Sequence, residues 1–280
     1  MKRALLSMFL LLVAMTTGAE EKKSTAGPGV QPLSAPMAMP GLERQRGIRV
    51  YLPPGYATST RRYRVLYMHD GQNLFDEATG FAGEWSVDET LDRLARTKGL
   101  ELIVVGIDNG GEHRINELKP WADPKYGAGE ADAYLRFVVE VVKPFVDSHY
   151  RTRPARADTG IMGSSLGGLT SWYAAFVYPQ VFGRIGVFSP SYWIAPQAYE
   201  FARSKQLPPD TRMYQSIGDH EGGDTEHDET VAAAVRMEGV LRQAQPKLKL
   251  RAVVRAGAEH NERAWREEFP AAVLYLFGHD

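Results

Sequence analysis

Apolar positions along the chain fall into two alternating patterns. Arg46–Leu52 (RGIRVYL) and Tyr63–Met68 (YRVLYM) are β-branched and aromatic runs closed by Pro-Pro-Gly and Asp-Gly turn signals, and they predict strands. Leu100–Gly106 (LELIVVG) is apolar almost throughout, as expected of a strand covered on both faces. Val87–Thr97 between them predicts a helix. In Ala131–Tyr150, Tyr134, Phe137, Val138, Val141, Val142, Phe145 and Val146 recur at three- and four-residue spacing and form one helical stripe, which Pro144 is placed to kink. Strands at Thr159–Met162, Arg184–Phe188, Thr211–Ile217 and Leu248–Val254 then alternate with helices at 166–177, Thr230–Gln243 and Glu262–Phe277. Such alternation predicts an α/β fold: a mostly parallel central sheet with helices on both faces. Ligand sites in such sheets lie beyond the carboxyl ends of strands, so the loops after strands are where function is sought.

The pattern changes at the front of the chain. Lys2 and Arg3 precede an apolar run, Ala4–Met15, and small residues end at Ala19. A run this short fits a cleaved signal peptide (1–19) better than a membrane span, so the protein is expected in the periplasm or secreted, without stable membrane insertion. Residues 20–41, rich in Lys, Ser, Gly and Pro, read as a flexible linker. No second linker follows, so 42–280 is expected to form one domain.

Composition narrows the function classes. The 33 basic and 34 acidic residues give a formal charge of −1 with no polybasic stretch, which argues against nucleic acid as a partner. There is no cysteine, hence no disulfide and no lipid-attachment thiol, and stability must come from the core that 280 residues allow. Oligomeric state is not legible.

One motif carries chemistry. Gly163-Ser164-Ser165-Leu166-Gly167 fits G-x-S-x-G, and its context is the strand-turn-helix the motif requires. Glycines two residues either side of Ser165 remove side chains that would collide in so tight a turn. The serine hydroxyl is then presented at a helix N-terminus, where developing negative charge is favoured. Ser164 is a poorer nucleophile, because Met162 stands where its leading glycine would be.

A serine nucleophile needs a base. His260 lies between a strand and a helix, within Gly257-Ala258-Glu259-His260-Asn261, whereas His279 stands almost at the end of the sequence. The acid that orients the base should follow the preceding strand. Glu221 is preferred and Asp219 is the alternative, since spacing alone does not decide. The polar segment His220, Glu221, Asp224, His227, Asp228, Glu229 matches no defined zinc spacing and reads as a solvated loop, so no metal is expected. Backbone N–H groups of Leu166, after the nucleophile, and Gln72, in the turn His69-Asp70-Gly71-Gln72-Asn73, are candidate oxyanion donors. Two further loops offer substrate contacts. Arg114 suits an anionic or phenolic group, or else a loop-tethering ion pair; Trp193 suits an aryl ring or a pocket wall.

Several longer motifs resemble the putative esterase family of α/β-hydrolases: VYLPPGY (50–56), LYMHDGQNLFD (66–76), RINELKPW (114–121), GSSLGGL (163–169), FGRIGVFSPSYW (182–193), and His260 with Trp265. That family includes enterochelin esterases and related trilactone hydrolases, feruloyl and acetyl-xylan esterases, and mycolyltransferases. The resemblance implies an α/β-hydrolase fold and cofactor-free ester chemistry, with Ser165 as nucleophile, His260 as base, Glu221 as acid, and Leu166 and Gln72 as oxyanion donors. The acid is where the family varies, some members working with a Ser-His dyad. The expected function is carboxylic ester hydrolysis on a small-molecule or saccharide ester, such as a siderophore lactone or an acylated or feruloylated sugar. Acyl transfer on the same fold is the alternative, and a non-catalytic binding scaffold a third reading.

Overall fold

The computed structural model describes residues 22–222 and 227–278, with 227 and 228 described by backbone only. The expected signal peptide, 1–19, and His279 lie outside the described residues, as do Asp224 and the side chains of His227 and Asp228.

In chain order the elements are β1 (Val30–Pro32), β2 (Met37–Met39), β3 (Arg44–Arg46), β4 (Ile48–Tyr51), β5 (Arg64–His69), α1 (Val87–Lys98), β6 (Leu102–Ile107), α2 (Arg114–Glu117), α3 (Ala131–Phe137), α4 (Lys143–His149), β7 (Thr159–Ser164), α5 (Leu166–Val177), β8 (Arg184–Phe188), α6 (Gln197–Ser204), β9 (Arg212–His220), α7 (His227–Ala244), β10 (Lys249–Glu259) and α8 (Glu262–Phe277). Eight strands join in one sheet, ordered β1-β4-β6-β5-β7-β8-β9-β10. The β1–β4 and β4–β6 pairs are antiparallel and the others parallel. Strand alternation builds a core on each face. In β5, Val65 and Tyr67 point to the side covered by α3, α5, α6 and α7, while Leu66 and Met68 point to α1 and α8. This is a single-domain fold of the α/β-hydrolase type.

Two features depart from the sequence reading. Residues 22–41 are not a loose tether. Val30–Pro32 adds an antiparallel edge strand to β4, Met37–Met39 pairs with β3, and Met39 is buried. Upstream, Ser24 and Thr25 bond Asp76, Thr25 also bonds Glu84, and the Gly27 N–H donates to Asp88. Low hydropathy concealed strands whose stability comes from pairing rather than from an apolar face. The long helix at 131–149 is interrupted by one wide turn, Val138–Val142. Pro144, which has no N–H to give the carbonyl a turn earlier, follows at the start of α4, so the break expected of it falls just upstream. Among the described residues no helix is long and apolar enough to cross a membrane.

The strand order reverses around β5: the chain moves to β6 on one side and then to β7 on the other. The crevice at the carboxyl ends of β5 and β7 holds the Asp70–Asn73 turn and Ser165.

Candidate active site

Ser165 stands between β7 and α5 with φ 58° and ψ −123°, a conformation that costs a residue with a side chain about 1–3 kcal/mol. The neighbouring glycines make the turn possible. A Cβ on Gly163 would lie 3.1 Å from the Gly167 Cα and 2.8 Å from the His69 ring. The loop after β8 is stitched to this turn, Ser165 N–H donating to the Phe188 carbonyl (3.0 Å) and Ser191 N–H to the Ser165 carbonyl (3.2 Å). The Ser165 and Ser191 hydroxyls share a hydrogen bond of 3.3 Å. Among the described residues Ser165 Oγ is not hydrogen-bonded to His260, although both line the same two cavities.

The register of β9 and β10 brings the Glu221 carboxylate and the His260 imidazole together. Arg255 pairs with Gly218, but Glu259 pairs with His220, so β10 carries a bulge between them. Glu221 and His260, the residues just beyond the two strands, therefore emerge side by side. His260 Nδ1 is 2.5 Å from Glu221 Oε2. The other carboxylate oxygen accepts from the Gly218 N–H (2.6 Å) and the Ser189 hydroxyl (2.6 Å), and Trp265 Nε1 donates to Ser189 Oγ (2.9 Å). The Glu221 side chain is fully buried, that of His260 is 33% exposed, and Trp265 meets the imidazole edge-on at 5.1 Å. With Nδ1 held by the carboxylate, Nε2 is the nitrogen left to exchange a proton. Asp219 is engaged elsewhere, with His220 (2.6 Å) and the bulge N–H of Gly257 (2.6 Å). Of the two carboxylates Glu221 is therefore the one joined to His260.

Across the crevice, β5 ends in a turn that begins at Asp70, itself at φ 55°. Gln72 lines the same cavity as Ser165, and its side-chain carbonyl accepts from the Asn109 N–H (3.0 Å). Among the described residues no acceptor takes the Gln72 backbone N–H. Leu166 opens α5, so its N–H is free of the helical ladder. Arg114 is engaged in a bidentate pair with Asp70 (2.6 and 2.9 Å), which is the tethering arrangement of the two expected for it. Burial acts to raise the Asp70 carboxyl, but the Arg114 guanidinium and Asn109 outweigh it and hold it below the ordinary value. Beneath the turn, burial drives His69 down to about 4.

Two cavities meet at Ser165 and His260. One, of about 370 Å³, is walled by Tyr126, Ser191 and Trp193, with Trp193 half-exposed and edge-on to Tyr126 at 5.9 Å. The other, of about 530 Å³, is walled by Asn73, Phe81, Arg114 and Trp265.

The family model described as Putative esterase matches residues 40–276. The chain belongs to that family. Similar proteins include the uncharacterized protein YbbA of Bacillus subtilis, 27% identical over 248 residues, which span 83% of this chain and 93% of that one. Among solved structures, the siderophore hydrolase EstB from Aspergillus nidulans superposes with a TM-score of 0.68 at 18% identity, covering 89% of this chain and 96% of that one. The ferulic acid esterase from Anaeromyces mucronatus does so with a TM-score of 0.63 at 21% identity, covering 94% of each. At these identities the two structural likenesses establish the shared fold. Membership of the Putative esterase family supports ester hydrolysis.

Sequence reasoning missed Ser189, Ser191 and Phe81. The serines were within reach: they lie in Ser189-Pro190-Ser191, directly after a strand, but nothing in their spacing announces that one touches Glu221 and the other Ser165. Phe81 sits in a Gly-rich segment with no periodicity, and only its 92% exposure at the cavity rim marks it.

Proposed function

We propose that the chain hydrolyses a carboxylic ester through an acyl-enzyme on Ser165, with His260 as general base and Glu221 as the acid that orients it. The observation that carries this reading is the Glu221–His260 bond, which opens into cavities that the Ser165 elbow shares. Substrate entry swings the Ser165 hydroxyl from Ser191 toward His260 Nε2. The imidazole takes its proton as Oγ attacks the carbonyl carbon, and Glu221 stabilises the imidazolium. The N–H groups of Leu166 and Gln72 receive the oxyanion, each contributing about 3 kcal/mol to the barrier reduction. Collapse expels the alcohol with the proton from His260. Water, deprotonated by the same nitrogen, then releases the acid and restores the serine.

Hydrolysis is favoured over acyl transfer by how open the site is. Trp193 and Phe81, at the two rims, are 48% and 92% exposed, so water has a route to the acyl group. Cavities of about 370 and 530 Å³, both lined by Ser165 and His260, leave room for bulky substrate groups, which suits siderophore lactones and feruloylated or acylated saccharides alike. The amino-terminal pattern supports export to the periplasm or beyond.

The test is hydrolysis of p-nitrophenyl acetate. Ser165→Ala is expected to lower kcat by about four orders of magnitude or more. Near-normal turnover by that variant would remove the mechanism.

A further inference from the structure

Arg114 was a candidate substrate receptor, yet its fork is spent on a buried carboxylate next to the nucleophile. Asp70 is 8% exposed, and both of its oxygens are engaged. Oδ1 accepts from Arg114 Nε (2.6 Å) and Asn109 Nδ2 (2.7 Å), and Oδ2 from Arg114 Nη2 (2.9 Å). Asp70 also begins the turn that carries Gln72, in the left-handed conformation that aspartate tolerates at turns. The turn is fastened again by Asn109 N–H to Gln72 Oε1, and it presses on β6 so closely that a Cβ on Gly71 would lie 2.7 Å from the Gly106 carbonyl carbon. The carboxylate faces α5 as well: a Cβ on Gly167 would lie 3.5 Å from Asp70 Oδ2.

We propose that Arg114 is a positioning residue for the oxyanion site: it locks the turn bearing Gln72 and neutralises a carboxylate that would otherwise oppose the developing oxyanion. The inference rests on the ester-hydrolase reading above, in which Gln72 is an oxyanion donor. Electrostatics requires the second role. A negative charge beside the first turn of α5 raises the energy of an anionic transition state, and in a partly desolvated crevice that effect is far larger than in water. Pairing with a planar guanidinium cancels the charge and fixes two oxygens at once, which a lysine ammonium cannot do.

The experiment compares Arg114→Met, Arg114→Lys and the double variant Asp70→Asn/Arg114→Met on p-nitrophenyl acetate, a small neutral ester without the carboxylate or free phenol that a receptor guanidinium would select. Arg114→Met is expected to lower kcat about 100-fold with KM within about threefold of wild type. Adding Asp70→Asn is expected to restore about tenfold, because it removes the stray charge without rebuilding the clamp. Arg114→Lys, which keeps a cation beside Asp70 and secures the comparison if the methionine variant folds poorly, is expected to lose about tenfold in kcat. The proposal is overturned if kcat of either single variant stays within about twofold of wild type, if Asp70→Asn gives no recovery, or if the loss appears in KM and only for esters that carry a carboxylate or a free phenol. Ser165→Ala run alongside separates the two levels. If it is inactive while Arg114→Met is unimpaired, only the positioning role falls; if it is active, the ester-hydrolase reading falls.

Discussion

Two carboxylates two residues apart were indistinguishable by spacing, and the difference between them is one of direction. Glu221 turns inward to His260, Ser189 and Gly218, while Asp219 turns out to His220 and the Gly257 N–H. Glu221→Gln, which keeps the shape and removes the charge that stabilises the imidazolium, is therefore expected to lower kcat about 1,000-fold or more. Asp219→Asn should leave kcat within about threefold, measured on the same ester. Ser165, His260, Trp193 and the G-x-S-x-G glycines were legible because each obeys a local rule: a turn too tight for side chains, a histidine after a strand, an aromatic in a loop. Arg114 was legible only as a pair of alternatives, because its partner lies 44 residues away in the sequence.

At the scale of elements, α5, β8 and α8 have the boundaries that periodicity and turn signals predict. The ends of β9 and β10 do not, and they matter most for the site. The sequence reading stopped these strands at Ile217 and Val254; they continue to His220 and Glu259, with the bulge in between. No apolar alternation marks this extension, since it is held by the neighbouring strand and by Asp219. The bulge depends on close approach at Gly218, where a Cβ would stand 2.1 Å from the Ala258 carbonyl oxygen. Gly218→Ala must push β10 away, and is expected to cost about 1–3 kcal/mol of stability in urea denaturation and to lower kcat as His260 parts from Glu221. A variant with wild-type stability and turnover would mean the register is not what sets the pair.

Over the whole molecule, residues 22–41 belong to the fold. Truncation to residue 42 removes β1 and β2, uncovers β4 and takes buried Met39 out of the core. It is expected to lower stability by about 2–5 kcal/mol, read as a drop in Tm. Stability should also fall in acid through His69. Burial depresses its folded value to about 4 from the ordinary 6.5, so between those pH values the unfolded chain binds a proton that the folded one refuses. The His69 contribution is thus complete above pH 6.5 and lost as pH falls toward 4, about 3 kcal/mol in all. His69→Asn should flatten the stability curve of urea melts across that window; an unchanged slope would mean that His69 is not buried as a neutral ring.

The proposed turnover depends on the assembled molecule and passes through a covalent bond to one oxygen, Ser165 Oγ. Rapid quenching during hydrolysis of p-nitrophenyl acetate, followed by mass spectrometry of the peptides, reads that bond directly. Hydrolysis through Ser165 requires an acetyl group on the peptide at Ser165, transient in the wild type and missing from Ser165→Ala. Steady turnover with that peptide unmodified at every time point, or with the acetyl group carried by another residue, would contradict it.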